Sequence, residues 1–265
     1  MPTIDVKAIN ELMKDDEEAL RLLPEVLSSL MNRNVYLVAV SGKKGSGKDT
    51  FTAALAERMG KPYIMHAFAY ELKNQAQSIF DYLVAEYEGD LTDDQLVKRI
   101  IKKYDMAGIP NVERNLLKLM RGIYDDLEHQ ISPNSYKRSP GVWQGLQLLG
   151  TEIRRAQDPD YWVKKTVSHV IKVLAEGTSV YVSDVRFGNE LKSMEILGAP
   201  TIRMDVSPEV QRQRLIGRDG SSPSHEALNH PSETELDDAE FDFVIDNNGG
   251  ISIEDNVSLV IDKIK

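Results

Sequence analysis

The chain has no cysteine in its 265 residues, which excludes disulfides and thiolate metal sites. It has no apolar run long enough to span a bilayer, and its acidic, amphipathic start does not resemble a secretion signal. The expectation is therefore a cytoplasmic protein with no membrane partner. It also lacks an excess of basic charge. A formal net charge of −10 argues against a broad footprint on a nucleic-acid polymer, so the basic residues that matter should be few and focused. Repeats and low-complexity blocks are absent. His225 and His230 are five apart rather than four, which takes them off a shared helix face and sets a zinc site aside. What remains is a globular composition, 41% hydrophobic, in a chain long enough for one large core with an insertion.

Within that composition one stretch stands out, Gly42-Lys43-Lys44-Gly45-Ser46-Gly47-Lys48-Asp49-Thr50. The apolar run Val35-Tyr36-Leu37-Val38-Ala39-Val40 before it reads as a buried strand, and residues 51–59 after it have helical spacing up to Gly60. Strand, glycine loop and helix form the context of a phosphate-binding loop. Glycines let backbone N–H groups crowd an anion, and the helix dipole adds about half a positive charge. Lys43, Lys44, Gly45, Ser46, Gly47, Lys48, Asp49 and Thr50 are the candidate donor-phosphate residues, with Lys48 bridging the phosphates. Where such loops usually carry Ser or Thr after the lysine, this chain has Asp49. Its carboxylate could hold Mg²⁺ beside the phosphates, or it could be an acid favoured in the first helical turn.

Residues 1–34 read as two short helices, the second starting at the acidic run 15–18 and broken or kinked at Pro24. They form an appendage packed on the sheet or used for self-association into a homodimer. Further strands are expected at Pro62–Ala69, Ser179–Ser183, Thr201–Val206 and Phe243–Asp246, giving a parallel five-stranded sheet. Between the second and third of these, residues from about 70 to 155 are helical and too long for a simple crossover. They read as an insertion that either builds an acceptor pocket or adds stability. Asp184 and Arg186 follow the third strand at its carboxyl end, where ligands bind in open α/β sheets. Asp184 is either a second Mg²⁺ carboxylate or a capping aspartate. A helix over 208–216 carries Arg212 and Arg214, and Arg218 follows. Residues 219–239 are polar and turn-rich and read as a flap, so the lid region is about 212–239, and an arginine on it would act on closure.

Taken together these motifs resemble the bacteriophage-type deoxynucleoside monophosphate kinases, in the P-loop nucleotide-kinase-like group. The resemblance rests on Gly-Ser-Gly-Lys-Asp-Thr at 45–50 and on Leu-Gly-Thr-Glu at 149–152 with Arg155. Asp-Pro-Asp-Tyr-Trp-Val at 158–163, Asp-Val-Arg-Phe-Gly-Asn-Glu at 184–190, His-Pro-Ser-Glu at 230–233 and Asp-Asn-Asn-Gly at 246–249 add to it. It covers about residues 36–265. It implies a three-layer P-loop fold over 35–265 and transfer of the ATP γ-phosphate, with Mg²⁺, to a deoxynucleoside 5′-monophosphate. It implies catalytic roles for Lys48, Asp49 and Arg186, and donor contacts that include Arg214, Arg218, Asn247 and Asn248. It implies acceptor contacts from Lys73, Gln147, Thr151, Glu152, Arg155, Trp162, Arg186 and Glu190. Trp162 or Tyr161 could stack on a base or be a core aromatic. One departure is Trp143, with Arg138 upstream, where the family pattern has an arginine a turn before Gln147. Two alternatives stand beside this reading. One is a kinase of another small phosphorylated acceptor such as phosphomevalonate, whose loop also resembles Gly-Lys-Asp. The other is a nucleotide-dependent switch, although no Asn-Lys-x-Asp guanine-reading element is present.

Overall fold

The computed structural model describes residues 4–86, 91–127, 145–219, 228–229 and 231–264. The loops expected at 132–135 and 138–141, Arg138, Trp143, His225, His230 and most of the expected flap lie outside them. Two compact units are present, residues 1–68 with 166–265, and residues 69–165.

The first unit is built on five parallel strands: β1 (Leu37–Gly42), β2 (Tyr63–His66), β3 (Ser179–Val185), β4 (Thr201–Asp205) and β5 (Phe243–Asp246). Their order is β2-β3-β1-β4-β5, all parallel. Every residue of β1 is buried, as a strand between two parallel neighbours requires. The chain runs from β1 to one edge, returns to β3, and then crosses to β4 and β5. Such reversals leave a crevice outside the carboxyl ends of the strands. The β1–β3 pairing slips there, with Ala39 opposite Val182 but Ser41 opposite Val185, a bulge that re-aims the end of β3.

Helix α3 (Lys48–Met59) buries Phe51, Leu55, Ala56 and Met59 against Val38, Val40, Tyr181, Ile202 and Met204. The last helix of the chain, α12 (Ile253–Ile264), adds Val257, Val260 and Ile261 to this cluster. Gly60, at φ +70°, ends α3 in the left-handed conformation that glycine tolerates best. Ahead of the sheet lie α1 (Val6–Leu12) and α2 (Glu17–Met31), each N-capped by an aspartate, Asp5 and Asp16. Helix α2 runs through Pro24 rather than ending there. The Asp5 N–H donates to the carbonyl of Ile196 at 2.8 Å, which fastens α1 to α9 (Gly188–Ile196).

The strands β1 and β3 run on to Gly42 and Val185, past the Val40 and Ser183 expected, and two further boundaries differ from the sequence reading. β2 stops at His66 because the Asp184 carboxylate accepts the Phe68 N–H at 2.7 Å and so starts α4 (Phe68–Glu86). Phe68 and Ala69 are therefore helical, not strand. Helix α10 (Pro208–Asp219) continues past Ile216, so Gly217 and Arg218 are helical too.

The second unit contains most of α4 with α5 (Asp93–Lys103), α6 (Val112–Leu127), α7 (Leu148–Arg155) and the start of α8 (Tyr161–Ala175). Ile79, Leu83, Ile100, Met106, Leu116, Leu149 and Ile153 are all buried in its core. A capping box at Thr92 and Gln95 opens α5, whose first turn is acidic and last turn basic, in line with the helix dipole. Helix α7 is wound as a π-helix over all eight residues. Within it the Gly150 carbonyl accepts the Trp162 indole N–H at 3.0 Å. The remaining helix, α11 (Pro231–Thr234), is a single turn in the first unit. Among the described residues no helix is long and apolar enough to cross a membrane.

Candidate functional site

The glycine loop joins the carboxyl end of β1 to α3. A Cβ on Gly42 would collide with the Ser46 hydroxyl and come within 2.9 Å of the Met204 carbonyl, so only glycine fits beside β4. Gly47 takes φ +85° as the N-cap of α3, and a Cβ there would strike the Asn247 amide. The loop is braced from outside. Asn247 Nδ2 donates to the Ser46 carbonyl at 2.8 Å, and Gln211 Nε2 to the Lys44 carbonyl at 2.8 Å. The Arg214 guanidinium reaches the carbonyls of Gly45 and Ser46 and donates to that of Asn247 at 2.8 Å. With its carbonyls engaged outward, the loop can turn N–H groups toward an anion.

Lys48 opens α3 and is 7% exposed. Burial lowers its ammonium pKa, and the Arg186 charge lowers it further, while Asp49, Glu233 and Asp184 oppose the shift. These five side chains therefore share one electrostatic neighbourhood at the carboxyl ends of β1 and β3. An anion arriving there would restore the favourable charge balance of Lys48. The Ser46 hydroxyl is fully buried and has no hydrogen-bond partner among the described residues. Asp49 and Thr50 are exposed on the first turn of α3.

Arg186 follows β3. Its backbone N–H is held by Glu190 at 2.9 Å, and the same carboxylate takes the Phe187 N–H at 3.2 Å. Its guanidinium donates to the Ser232 carbonyl at 3.1 Å and pairs with Glu233. The second oxygen of Glu233 accepts the Lys44 N–H at 2.6 Å. Glu190 is thus a buried strut for Arg186. Asp184 spends one oxygen on the start of α4, the capping role weighed for it from sequence.

The other expected residues divide between the units. Lys43 pairs with Asp237 at 2.7 Å. Asn248 receives the Ser207 N–H at 2.8 Å, and Arg212 and Arg218 are exposed on α10. In the second unit Gln147, Thr151 and Glu152 are exposed, Arg155 and Lys73 are half-buried, and Trp162 is 4% exposed. Trp162 is a core residue whose indole is tied to Gly150. Of the two roles open to it from sequence, burial favours the core aromatic, because a stacking ring needs an open face. Arg214, on a helix as the sequence suggests, clamps the loop.

Sequence reasoning gave no role to Arg203, Asp237 or Glu233. Arg203, 8% exposed on β4, donates to the Ser41 hydroxyl at 3.0 Å and to Asp237 at 2.8 Å. An arginine inside an apolar strand run was the available signal. Among the described residues no cluster of three or more His, Asp or Glu could hold a metal. Mg²⁺ asks for less, often one or two carboxylates with substrate phosphates completing the shell. Asp49 and Asp184 are the oxygen donors that fit that pattern.

No protein-family model matches the chain, and no curated protein sequence matches it. The functional reading rests on the loop and on the side chains gathered around it.

Proposed function

We propose that this protein is an ATP-dependent deoxynucleoside monophosphate kinase built on a P-loop fold. One observation carries the reading: a buried lysine in a glycine loop at the head of α3, with Arg186 and Asp184 delivered beside it from β3. Phosphoryl transfer needs in-line positioning and charge neutralisation more than covalent chemistry from the protein. In this reading the loop N–H groups and Lys48 hold the donor phosphates. Arg186 faces the position between donor and acceptor and offsets phosphate charge there, and a planar guanidinium suits phosphate better than an ammonium does. Asp49 and Asp184 would hold Mg²⁺, which when bound neutralises charge on the donor phosphates. The exposed Gln147, Thr151 and Glu152, with Arg155, are the acceptor residues that the family resemblance supplies.

The test is product formation from ATP and Mg²⁺ with a panel of dGMP, dTMP, dCMP and dAMP, and with phosphomevalonate alongside. The expected outcome is a nucleoside diphosphate from at least one of the four and no product from phosphomevalonate. ADP release that is independent of every acceptor would favour the switch and overturn the kinase reading.

A further inference from the structure

The Glu233 carboxylate bridges two groups that a bound phosphate would use. One oxygen accepts the Lys44 N–H of the glycine loop at 2.6 Å, and the other is paired with the Arg186 guanidinium. The side chain is 8% exposed, and its charge is felt by Lys48. A carboxylate spanning a loop N–H and a guanidinium makes the contacts that two oxygens of a phosphate make. The segment that carries it is fastened by alternate carboxylates. Glu235 accepts the Gly188 N–H at 2.8 Å, and Asp237 takes Lys43 at 2.7 Å and Arg203 at 2.8 Å. Glu233, Glu235 and Asp237 thus lie against the cations and N–H groups nearest the loop, and each partner is several tens of residues or more distant in sequence.

We propose that Glu233 is a built-in anion that occupies the phosphate position of the glycine loop and is displaced when nucleotide phosphate binds. This rests on the phosphate-binding reading of the same loop. The contacts cannot serve both anions, because Lys44 has one backbone proton and a second negative charge beside Glu233 would be repelled. The carboxylate keeps Lys48 and Arg186 compensated while the loop waits, so the cradle holds its shape without a ligand. Its cost is weaker binding, since the ligand must first remove a charge-assisted pair. The device sets a threshold: a mononucleotide or inorganic phosphate displaces Glu233 poorly, whereas a triphosphate brings enough charge to do so.

The experiment is calorimetry of inorganic tripolyphosphate, and of ATP with Mg²⁺, on the full chain and on Glu233→Gln. The amide keeps the shape and loses the charge, so both ligands should bind about tenfold tighter to the variant. Equal or weaker binding by a folded variant that still binds overturns the proposal and leaves the loop's phosphate role standing. Absence of binding to either protein overturns both. Should Glu233→Gln not fold, amide hydrogen exchange on the unaltered chain decides the matter. Saturating tripolyphosphate should protect residues 43–50 and speed exchange in residues 231–238. Protection of 231–238 that stays unchanged or rises would contradict displacement.

Discussion

Lys48 and Asp49 are adjacent in sequence and opposite in circumstance. Lys48 is buried among charges that it must balance, and Asp49 is exposed on the first helical turn. A carboxylate placed next to bound phosphates is repelled unless a cation intervenes, which is the argument for a Mg²⁺ role. Asp49→Asn should accordingly cut kcat by about a hundredfold while changing ATP affinity little. Steady-state kinetics with separate calorimetry of ATP reads both. If turnover is unchanged and only a fraction of a kcal/mol of stability is lost, Asp49 is a dipole-favoured acid and nothing more. The placement of Lys48 in the glycine loop and of Arg186 at the end of β3 was legible in the sequence, because a glycine spacing and a strand end announce them. Glu233, Asp237 and Arg203 were not. Their contacts join residues 189, 194 and 162 positions apart, and no local pattern encodes such pairings.

Elements were legible where burial imposes a period. The inner strands β3, β1 and β4 appear as apolar runs because a parallel sheet buries both faces there, whereas the edge strands β2 and β5 keep exposed residues such as Met65 and Val244, and Gly60 marks the end of α3. The end of β2 was not, since a side chain from β3 sets it. Nor was the winding of α7, whose sequence has the same spacing whether it forms α or π turns. Arg154, 1% exposed, sits at the centre of that region. Its guanidinium donates to the carbonyls of Tyr104 at 2.6 Å and Asp105 at 3.2 Å, and to Gln75 and Gln157, and it lies over the Tyr161 ring. Burial lowers its pKa, but an arginine stays charged throughout the ordinary range. Arg154→Met would strand these acceptors in the core of the second unit and should cost about 3 kcal/mol or more. Hydrogen exchange across residues 69–165 should accelerate by about a hundredfold or more if so. An unchanged exchange rate there would show that the acceptors find other donors.

For the molecule as a whole, acid should act through His66. It is 4% exposed on β2, its ring stacked on that of His169 at 4.6 Å between centroids. Burial, with the nearby His169 charge adding to it, pushes its pKa down to about 4 from 6.5. The folded state then binds fewer protons than the unfolded chain between those values, so stability is complete above about pH 6.5 and falls as pH drops toward 4. The loss from this residue is on the order of 3 kcal/mol. Urea unfolding of the parent and of His66→Phe at pH 7 and pH 4.5 should show a steeper acid loss in the parent. Parallel losses in the two proteins would remove His66 as the cause.

In the proposed reaction the glycine loop holds a triphosphate whose terminal phosphoryl group moves to a nucleotide acceptor. Phosphorus NMR of ATP, Mg²⁺ and the accepted deoxynucleoside monophosphate tests it most directly, with the parent chain and Lys48→Met in parallel. Methionine keeps the length of the stem and removes the charge. The parent should convert the monophosphate signal to a diphosphate while ATP becomes ADP. Lys48→Met should fold and be slower by about a thousandfold or more. A Lys48→Met chain that turns over like the parent at saturating ATP, or a parent chain that leaves every monophosphate unchanged, would contradict the account.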